Sequence, residues 1–356
     1  MNRKKILVTG ATGHVGFETV MQLLRLGRPV VATDLAGADW SAYADVDVEQ
    51  RKADLVLRRA WDDVLDGVSG VIHTVGLIDI SRPWEQLLAV NFTATRHMLE
   101  ACARNGIRRT VFLSSASVCG APSDYPISED SFPRPKNDYE RTKVMAEYEV
   151  LEYAQKSDLE VCILRPSVVY GPRGRLLSTT AVVLGCLLRH RGMPVPLIRG
   201  GPRCNWVHAR DVARAAIFLL DHGRNGERYH AANDDPLTLG EMVGLTFTAL
   251  GVPMRGGIGF PYRAARFAAR NPIPESVFGS FNNHLRRRWS GLARTYSLAH
   301  GFDGSIVQGI FEYGLGDYVF SNDRIKALGF RLEHPKLEPG WIETIRWYQR
   351  MRWIPE

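Results

Sequence analysis

The sequence predicts an α/β protein, with a doubly wound parallel sheet first and a smaller, mainly helical lobe after it. Three observations carry that expectation. A short apolar run, Lys5–Thr9, enters a glycine-rich turn and leaves it as a helical pattern. Apolar runs then alternate with helical-period segments to about residue 172, the pattern of parallel strands joined by crossover helices. With 356 residues the chain has room for one large unit of this kind and a smaller lobe after it.

Taken in order, the first turn carries Gly10, Gly13 and Gly16 just before Phe17–Arg25 at helical period. Glycines are needed where the backbone bends tightly, approaches a pyrophosphate, and packs helix on strand; the helix N-terminus adds amide donors and a positive dipole end. A second strand, Pro29–Thr33, ends in Asp34, 21 residues after Gly13. A carboxylate there accepts both ribose hydroxyls of NAD and repels a 2′-phosphate, and no arginine follows it closely, so NAD is expected over NADP. A third strand is expected around Val46–Ala53, with Asp54 and Leu55 at a distance suited to adenine. Gly70–Gly76 reads as a fourth strand closing in small residues, and a helix from about Trp84 to Asn105 carries Asn91. Arg109–Leu113 then runs into Ser114, Ser115 and Ser117, at a strand carboxyl end where ligands sit in such sheets.

Tyr139 and Lys143 stand four residues apart where a helical pattern begins, so both polar heads share one face. A cation beside a phenol favours the phenolate and lowers its pKa from about 10, which suits acid/base work.

Composition narrows the class. The 356 residues can bury a core without metals or disulfides, and Cys102, Cys119, Cys162, Cys186 and Cys204 show no paired spacing, so neither is expected and a reducing, cytoplasmic setting is. The basic start reaches a glycine turn after three apolar residues, unlike an export signal, and the uncharged stretch Leu176–Leu188 is shorter than the ~20 residues of a membrane helix. Net charge is +7, and between Arg255 and Arg294 there are eight arginines against one acid, Glu275. Arg263, Arg266 and Arg270 fall on one helical stripe, with Phe260, Ala264, Phe267 and Ala268 on another, a pattern read either as a lobe helix with solvated arginines or as a peripheral membrane contact through 260–270. No nucleic-acid module accompanies the arginines, and no nucleic-acid partner is expected.

Together and in order, TGATGHVG, Asp34, VIHTVG, SSASVCG and YERTK resemble the extended short-chain dehydrogenase/reductase family, also called the NAD-dependent epimerase/dehydratase family, over essentially the whole chain. The resemblance implies a Rossmann-type NAD-binding domain over 1–172 that also receives a strand and helix from about 203–222, a mainly substrate-binding lobe over 173–356, and closing helices that would complete the chain. It implies a Ser115, Tyr139 and Lys143 triad, with Tyr139 exchanging a proton with a substrate oxygen, Ser115 bonding that oxygen, and Lys143 on the nicotinamide ribose. It places NAD against Gly10, Thr12, Gly13, His14, Val15, Gly16, Asp34, Asp54, Leu55, Thr74, Asn91, Ser114, Tyr139, Lys143 and Pro166. It also allows a homodimer. His208 is expected to serve packing or hydrogen bonding.

Substrate is read from departures. Val168 stands where nucleotide-sugar enzymes of this family carry Asn, and Cys204 where they carry a phosphate-holding Arg, with Arg203 one residue off and therefore on the other strand face. Cys119 stands where a Tyr is usual, without an evident reason. VIHTVGLIDI, Ala232–Pro236 and Pro261–Arg270 are similar to the 3β-hydroxysteroid dehydrogenase branch, including sterol-4-carboxylate 3-dehydrogenases. The expectation is an NAD-dependent oxidoreductase working between a secondary alcohol and a ketone on a hydrophobic steroid-, lipid- or polyketide-like small molecule. A nucleotide-sugar epimerase or dehydratase is the alternative within the family, and a non-catalytic cofactor-binding protein the alternative outside it.

Overall fold

A computed structural model describes residues 5–80, 82–122, 124–175, 178–271, 275–299 and 316–356. The elements, in order, begin β1 (Lys5–Thr9), α1 (His14–Arg25), β2 (Val30–Asp34), β3 (Glu49–Lys52), α2 (Ala60–Val64), β4 (Val68–His73), α3 (Trp84–Leu88) and α4 (Ala94–Arg104). They continue with β5 (Arg109–Leu113), α5 (Asp138–Lys156), β6 (Glu160–Pro166), β7 (Val168–Tyr170), α6 (Ser178–His190), β8 (Val195–Arg199), β9 (Arg203–Cys204), β10 (Trp206–His208), α7 (Ala209–His222) and β11 (Arg228–Ala231). Then come β12 (Leu237–Thr238), α8 (Leu239–Ala249), β13 (Met254–Gly259), α9 (Tyr262–Arg270) and α10 (Glu275–Thr295), and the helices Asp323–Ala327 and Leu337–Arg350.

Seven strands form one parallel sheet in the order β11-β6-β5-β4-β1-β2-β3, so the chain reverses direction between β1 and β4. That is the Rossmann order, and its switch point is where such sheets bind ligands. Side chains alternate across the sheet: Ile6 and Val8 join Ile72, Val111 and Leu164 on the face covered by α1 and α7, and Leu7 joins Val71, Phe112 and Ile163 on the face covered by α2, α4 and α5. Both faces are buried, which is why these strands read as continuous apolar runs.

Three local expectations change. The third strand is only Glu49–Lys52, a charged edge strand, and Val46 and Val48 instead pack against the core. The helix expected from 84 to 105 is interrupted by a π-turn at Ala89–Thr93 that carries Asn91. The run Val161–Pro172 is two strands, β6 and β7, because the chain turns after Pro166 at the last rung with Ala231.

The chain divides into two compact units, 1–169 with 207–232 and 320–333, and 170–206 with 233–319 and 334–356. Residues 320–333, which the sequence leaves with the lobe, join the first unit for a physical reason. Phe320 bridges Ile127, Asn322 Nδ2 donates to the Ala232 carbonyl at 2.7 Å, and Arg324 pairs with Asp130 and Glu227. In the second unit, Trp341 is buried against Tyr170 and Trp206 and donates to Thr246 Oγ1 at 3.0 Å. Among the described residues no helix is long and apolar enough to cross a membrane.

Candidate active site

The site is built at the carboxyl ends of β1, β2, β4 and β5, which the parallel register brings level: Thr9 lies opposite both Thr33 and His73. Gly10 turns with φ of +64°, and a Cβ on Gly16 would stand 2.0 Å from the Gly10 carbonyl oxygen, so only glycine allows α1 to start this close to β1. Gly13 caps α1 without a side chain, leaving the first turn to backbone donors, and His14 and Val15 open the helix. Asp34 Oδ2 accepts from Thr12 N–H at 3.0 Å and Thr12 Oγ1 at 2.7 Å, which ties the carboxylate at the end of β2 to the glycine loop. Thr74 Oγ1 donates to the Thr9 carbonyl at 2.6 Å. Asp54 is exposed and accepts from Val56 N–H, whereas the Leu55 side chain is spent in the core and its carbonyl accepts from Trp61 Nε1 at 3.0 Å.

Asn91 is fully buried on the π-turn. Its Oδ1 accepts from Leu77 N–H at 2.7 Å, and its Nδ2 donates to the Leu77 carbonyl at 3.1 Å and Thr142 Oγ1 at 3.0 Å. One amide therefore joins the segment after β4 to the helix that carries Tyr139 and Lys143. Its two bonds to Leu77 go to backbone, so the sequence alone gives no partner for it.

Ser114 sits at the end of β5, where its amide donates to Leu164 and its buried hydroxyl finds no partner among the described residues. Ser115 caps the 3₁₀ turn Ala116–Cys119, and its Oγ lies 2.9 Å from the Ser117 hydroxyl. Asn137 caps α5 through Glu140 N–H at 2.9 Å, which starts the helix at Asp138 and puts Tyr139 and Lys143 one turn apart on its buried face. The Ser115 side chain acts on the Tyr139 phenol and favours its ionised form. Lys143 Nζ donates to the Leu113 carbonyl at 2.7 Å and lies 4.5 Å from the Phe112 ring centroid. Pro166 is buried at the end of β6.

The electrostatics correct one expectation. The four-residue spacing predicts that Lys143 lowers the Tyr139 pKa; instead burial pushes the phenol up to about 12, against the pull of the Ser115 hydrogen bond. Burial likewise pushes Lys143 down to about 7, only partly offset by the Glu147 charge. Burial, reinforced by the Glu140 charge, is why the phenol keeps its proton.

Two features escape the sequence reading. His73 is buried and pushed down to about 3 by desolvation and by Lys143, so it is neutral, and it joins Thr9 Oγ1 at 2.8 Å to Thr95 Oγ1 at 3.3 Å. Glu147, one turn past Lys143, pairs with Arg165 of β6. The repeat Tyr139, Lys143, Glu147 at four-residue intervals is the signal that would have found the second.

The departures in sequence take definite places. Cys119 is buried with Sγ 3.6 Å from Arg165 Nη1 and 4.0 Å from His230 Nε2, and burial pushes its thiol up to about 11. Arg203 pairs with Asp317 at 3.2 Å, and Cys204 Sγ donates to the Asn205 carbonyl at 3.1 Å. His208 Nδ1 caps α7 by accepting from Arg210 N–H at 3.1 Å, a hydrogen-bonding role.

A glycine turn into a helix at the switch point of a parallel sheet, with a carboxylate ending β2 and a Ser/Tyr/Lys cluster beyond β5, defines an enzyme of the extended short-chain dehydrogenase/reductase type. The cradle at Gly10 and Gly16 and the unpartnered Ser114 hydroxyl fit a dinucleotide. Residues 6–233 match the NAD dependent epimerase/dehydratase family, and the chain belongs to it, with NAD as the cofactor. Sterol demethylase protein B of Methylococcus capsulatus is 32% identical, over 67% of this chain and 72% of its own length. A Sinorhizobium fredii protein, y4nG, is 31% identical over 60% of this chain, which spans only about half, 52%, of that relative. UDP-glucose 4-epimerase of Thermotoga maritima shares the fold, with a TM-score of 0.73, 18% identity, and 97% and 99% of the two chains covered.

Proposed function

We propose that this family member interconverts a secondary alcohol and a ketone on a hydrophobic, steroid-, lipid- or polyketide-like substrate, with Tyr139 as the proton donor or acceptor. The observation that carries the reading is that Tyr139 and Lys143 lie one turn apart on the buried face of α5, with Lys143 Nζ on the Leu113 carbonyl at the end of β5. NAD, when bound, supplies or receives the hydride. Ser115 and Tyr139 would hold the substrate oxygen between two hydroxyls. The buried phenol can donate its proton as that oxygen gains charge in ketone reduction, and alcohol oxidation runs through its ionised form. Lys143 and Asn91 would hold the ribose and the backbone near Gly76 and Leu77, and Asp34 the adenosine ribose.

The hydrophobic substrate rests on Val168 and Cys204 standing where nucleotide-sugar enzymes carry Asn and a phosphate-holding Arg, with the neighbouring Arg203 paired with Asp317, and on the sterol-linked relative. Segment 260–270 gives an enzyme of this kind a way to rest where lipid-like substrates lie.

The test is a turnover assay with NAD or NADH and a panel of 3-hydroxysteroids, 3-ketosteroids and polyketide ketones, followed by NADH absorbance. UDP-glucose is run alongside, followed by chromatography of the sugar product because epimerisation and dehydration leave NADH unchanged. Turnover of UDP-glucose with none on the panel would replace this reading by the nucleotide-sugar one. Coenzyme choice is tested by titration: NADH should bind at least about tenfold more tightly than NADPH, a difference of about 1.4 kcal/mol, because a 2′-phosphate would meet Asp34.

A further inference from the structure

We infer that α9 and α10 form a docking surface for an anionic phospholipid bilayer, deepening the reading of 260–270 as a peripheral contact. The first ground is charge. Residues 255–294 hold eight arginines and one glutamate, which leaves 37 basic and 37 acidic residues in the rest of the chain, so this segment carries the whole net charge of +7. Among the described residues no carboxylate lies within ion-pair distance of Arg263, Arg266, Arg270, Arg287, Arg288 or Arg294, so the charge is not neutralised locally.

The second ground is which face each helix presents. On α9 the half-buried residues are Ala265 and Ala268, and the opposite side carries Arg263, Arg266 and Arg270, flanked by Tyr262 and Phe267. The Phe267 ring is 69% exposed. On α10, Leu285, Trp289 and Leu292 are buried, and the opposite side forms an open groove of about 420 Å³ lined by Asn283, Arg286, Arg287, Ser290 and Arg294. Guanidinium groups with a serine and an asparagine match phosphate oxygens by fork-like, charge-assisted bonds.

The third ground separates a bilayer from a nucleic acid. Ile258, Tyr262 and Phe267 are exposed in the same stretch as the α9 arginines. Isoleucine offers no stacking face to a base but does gain from entering the acyl boundary, while arginine stems lie along it with their heads among phosphates. Lipid headgroup phosphate and free phosphate share the same chemistry at the α10 groove, and the arms below separate them.

The experiment is flotation of the full chain with vesicles of phosphatidylcholine alone and of phosphatidylcholine with phosphatidylglycerol, at low and high salt, with NADH affinity as the check on folding. Binding is expected to the anionic vesicles, weakened by salt. Arg263→Glu with Arg266→Glu, and separately Arg287→Glu with Arg294→Glu, should each weaken it at least about tenfold with NADH affinity unchanged. Phe267→Ser should weaken it while leaving the salt dependence. Equal binding to both vesicles, no binding to the anionic ones, release by millimolar inorganic phosphate at constant ionic strength, or release by single-stranded RNA at catalytic dilution would each overturn the proposal. No substrate or turnover enters the readout, so the dehydrogenase reading and this one fail separately.

Discussion

Glu147 grips Arg165 with both carboxylate oxygens, Oε1 accepting from Nε at 2.8 Å and Oε2 from Nη2 at 2.5 Å, and both side chains are almost completely buried. Arg165 also donates to the Glu129 carbonyl. The pair locks α5 to β6 one turn past Lys143, so it fixes the rotation that points Tyr139 and Lys143 at the end of β5. Its Coulombic gain must first offset the desolvation of two charges, so its removal as a unit and its breakage differ sharply. Arg165→Met alone strands a buried carboxylate and should cost about 3–5 kcal/mol in urea unfolding. Arg165→Met with Glu147→Leu should recover most of that loss. A single variant within about 0.5 kcal/mol of wild type would show that the pair carries no such constraint.

Gly16 makes a prediction of the opposite kind, about space rather than charge. An added methyl would lie 2.0 Å from the Gly10 carbonyl oxygen and 2.9 Å from Thr74 Oγ1, and neither neighbour is the free end of a flexible chain. Gly16→Ala should therefore push α1 away from β1, costing about 1–3 kcal/mol of stability. NADH binding should be lost with it, because the same displacement opens the turn that approaches the pyrophosphate. Unchanged NADH affinity by fluorescence titration would mean that α1 does not set that approach.

What the sequence made legible were features settled within a few residues. β1, the glycine turn and α1 follow from local spacing; the parallel order follows from alternating runs; and the Tyr139/Lys143 face follows from helical period. What it hid depends on residues far apart or on burial. Asn91 sits on a π-turn that no period announces, and its partners Leu77 and Thr142 lie 14 and 51 positions away. Arg165 lies 18 positions from Glu147 and looks from sequence like one more charge in a strand. Residues 320–333 join the first unit through ion pairs of Arg324 that span almost two hundred positions. The phenol pKa went the other way from the spacing argument because spacing says which groups are close and nothing about how dry the place is.

That dryness also sets an acid limit on stability. His73 and His230 are both pushed down to about 3 by burial, so each is neutral in the folded chain yet charges below about 6.5 once unfolded. The unfolded state then binds more protons between those values. The share of stability set by these two histidines is therefore complete above about pH 6.5 and falls as pH drops toward 3, by roughly 1.4 kcal/mol per pH unit for each histidine. Glu129, whose pKa burial raises, works against this over the carboxylate range. His73→Gln, which keeps groups to bridge Thr9 and Thr95, should remove one proton from the slope of unfolding free energy against pH. A slope identical to wild type would place His73 in water rather than between the two threonines.

The last prediction concerns the two hydroxyls themselves. Tyr139→Phe keeps a buried ring of nearly the same volume and removes only the proton and the bond to Ser115, so the fold and the coenzyme site should survive. Turnover should fall by about 10²–10⁴, the usual share of a positioned acid, while NADH affinity stays within about threefold. Ser115→Ala should cost less, since it removes an orienting bond and leaves the proton donor in place. The Ser115 variant should also leave the phenol without the one hydrogen bond that holds its pKa down, so the loss in the oxidation direction, which needs the phenolate, should exceed that in reduction. The decisive comparison is single-turnover rate in each direction for the two variants. If Tyr139→Phe retained wild-type rates on a substrate that the enzyme turns over, proton transfer would have to be assigned to another group.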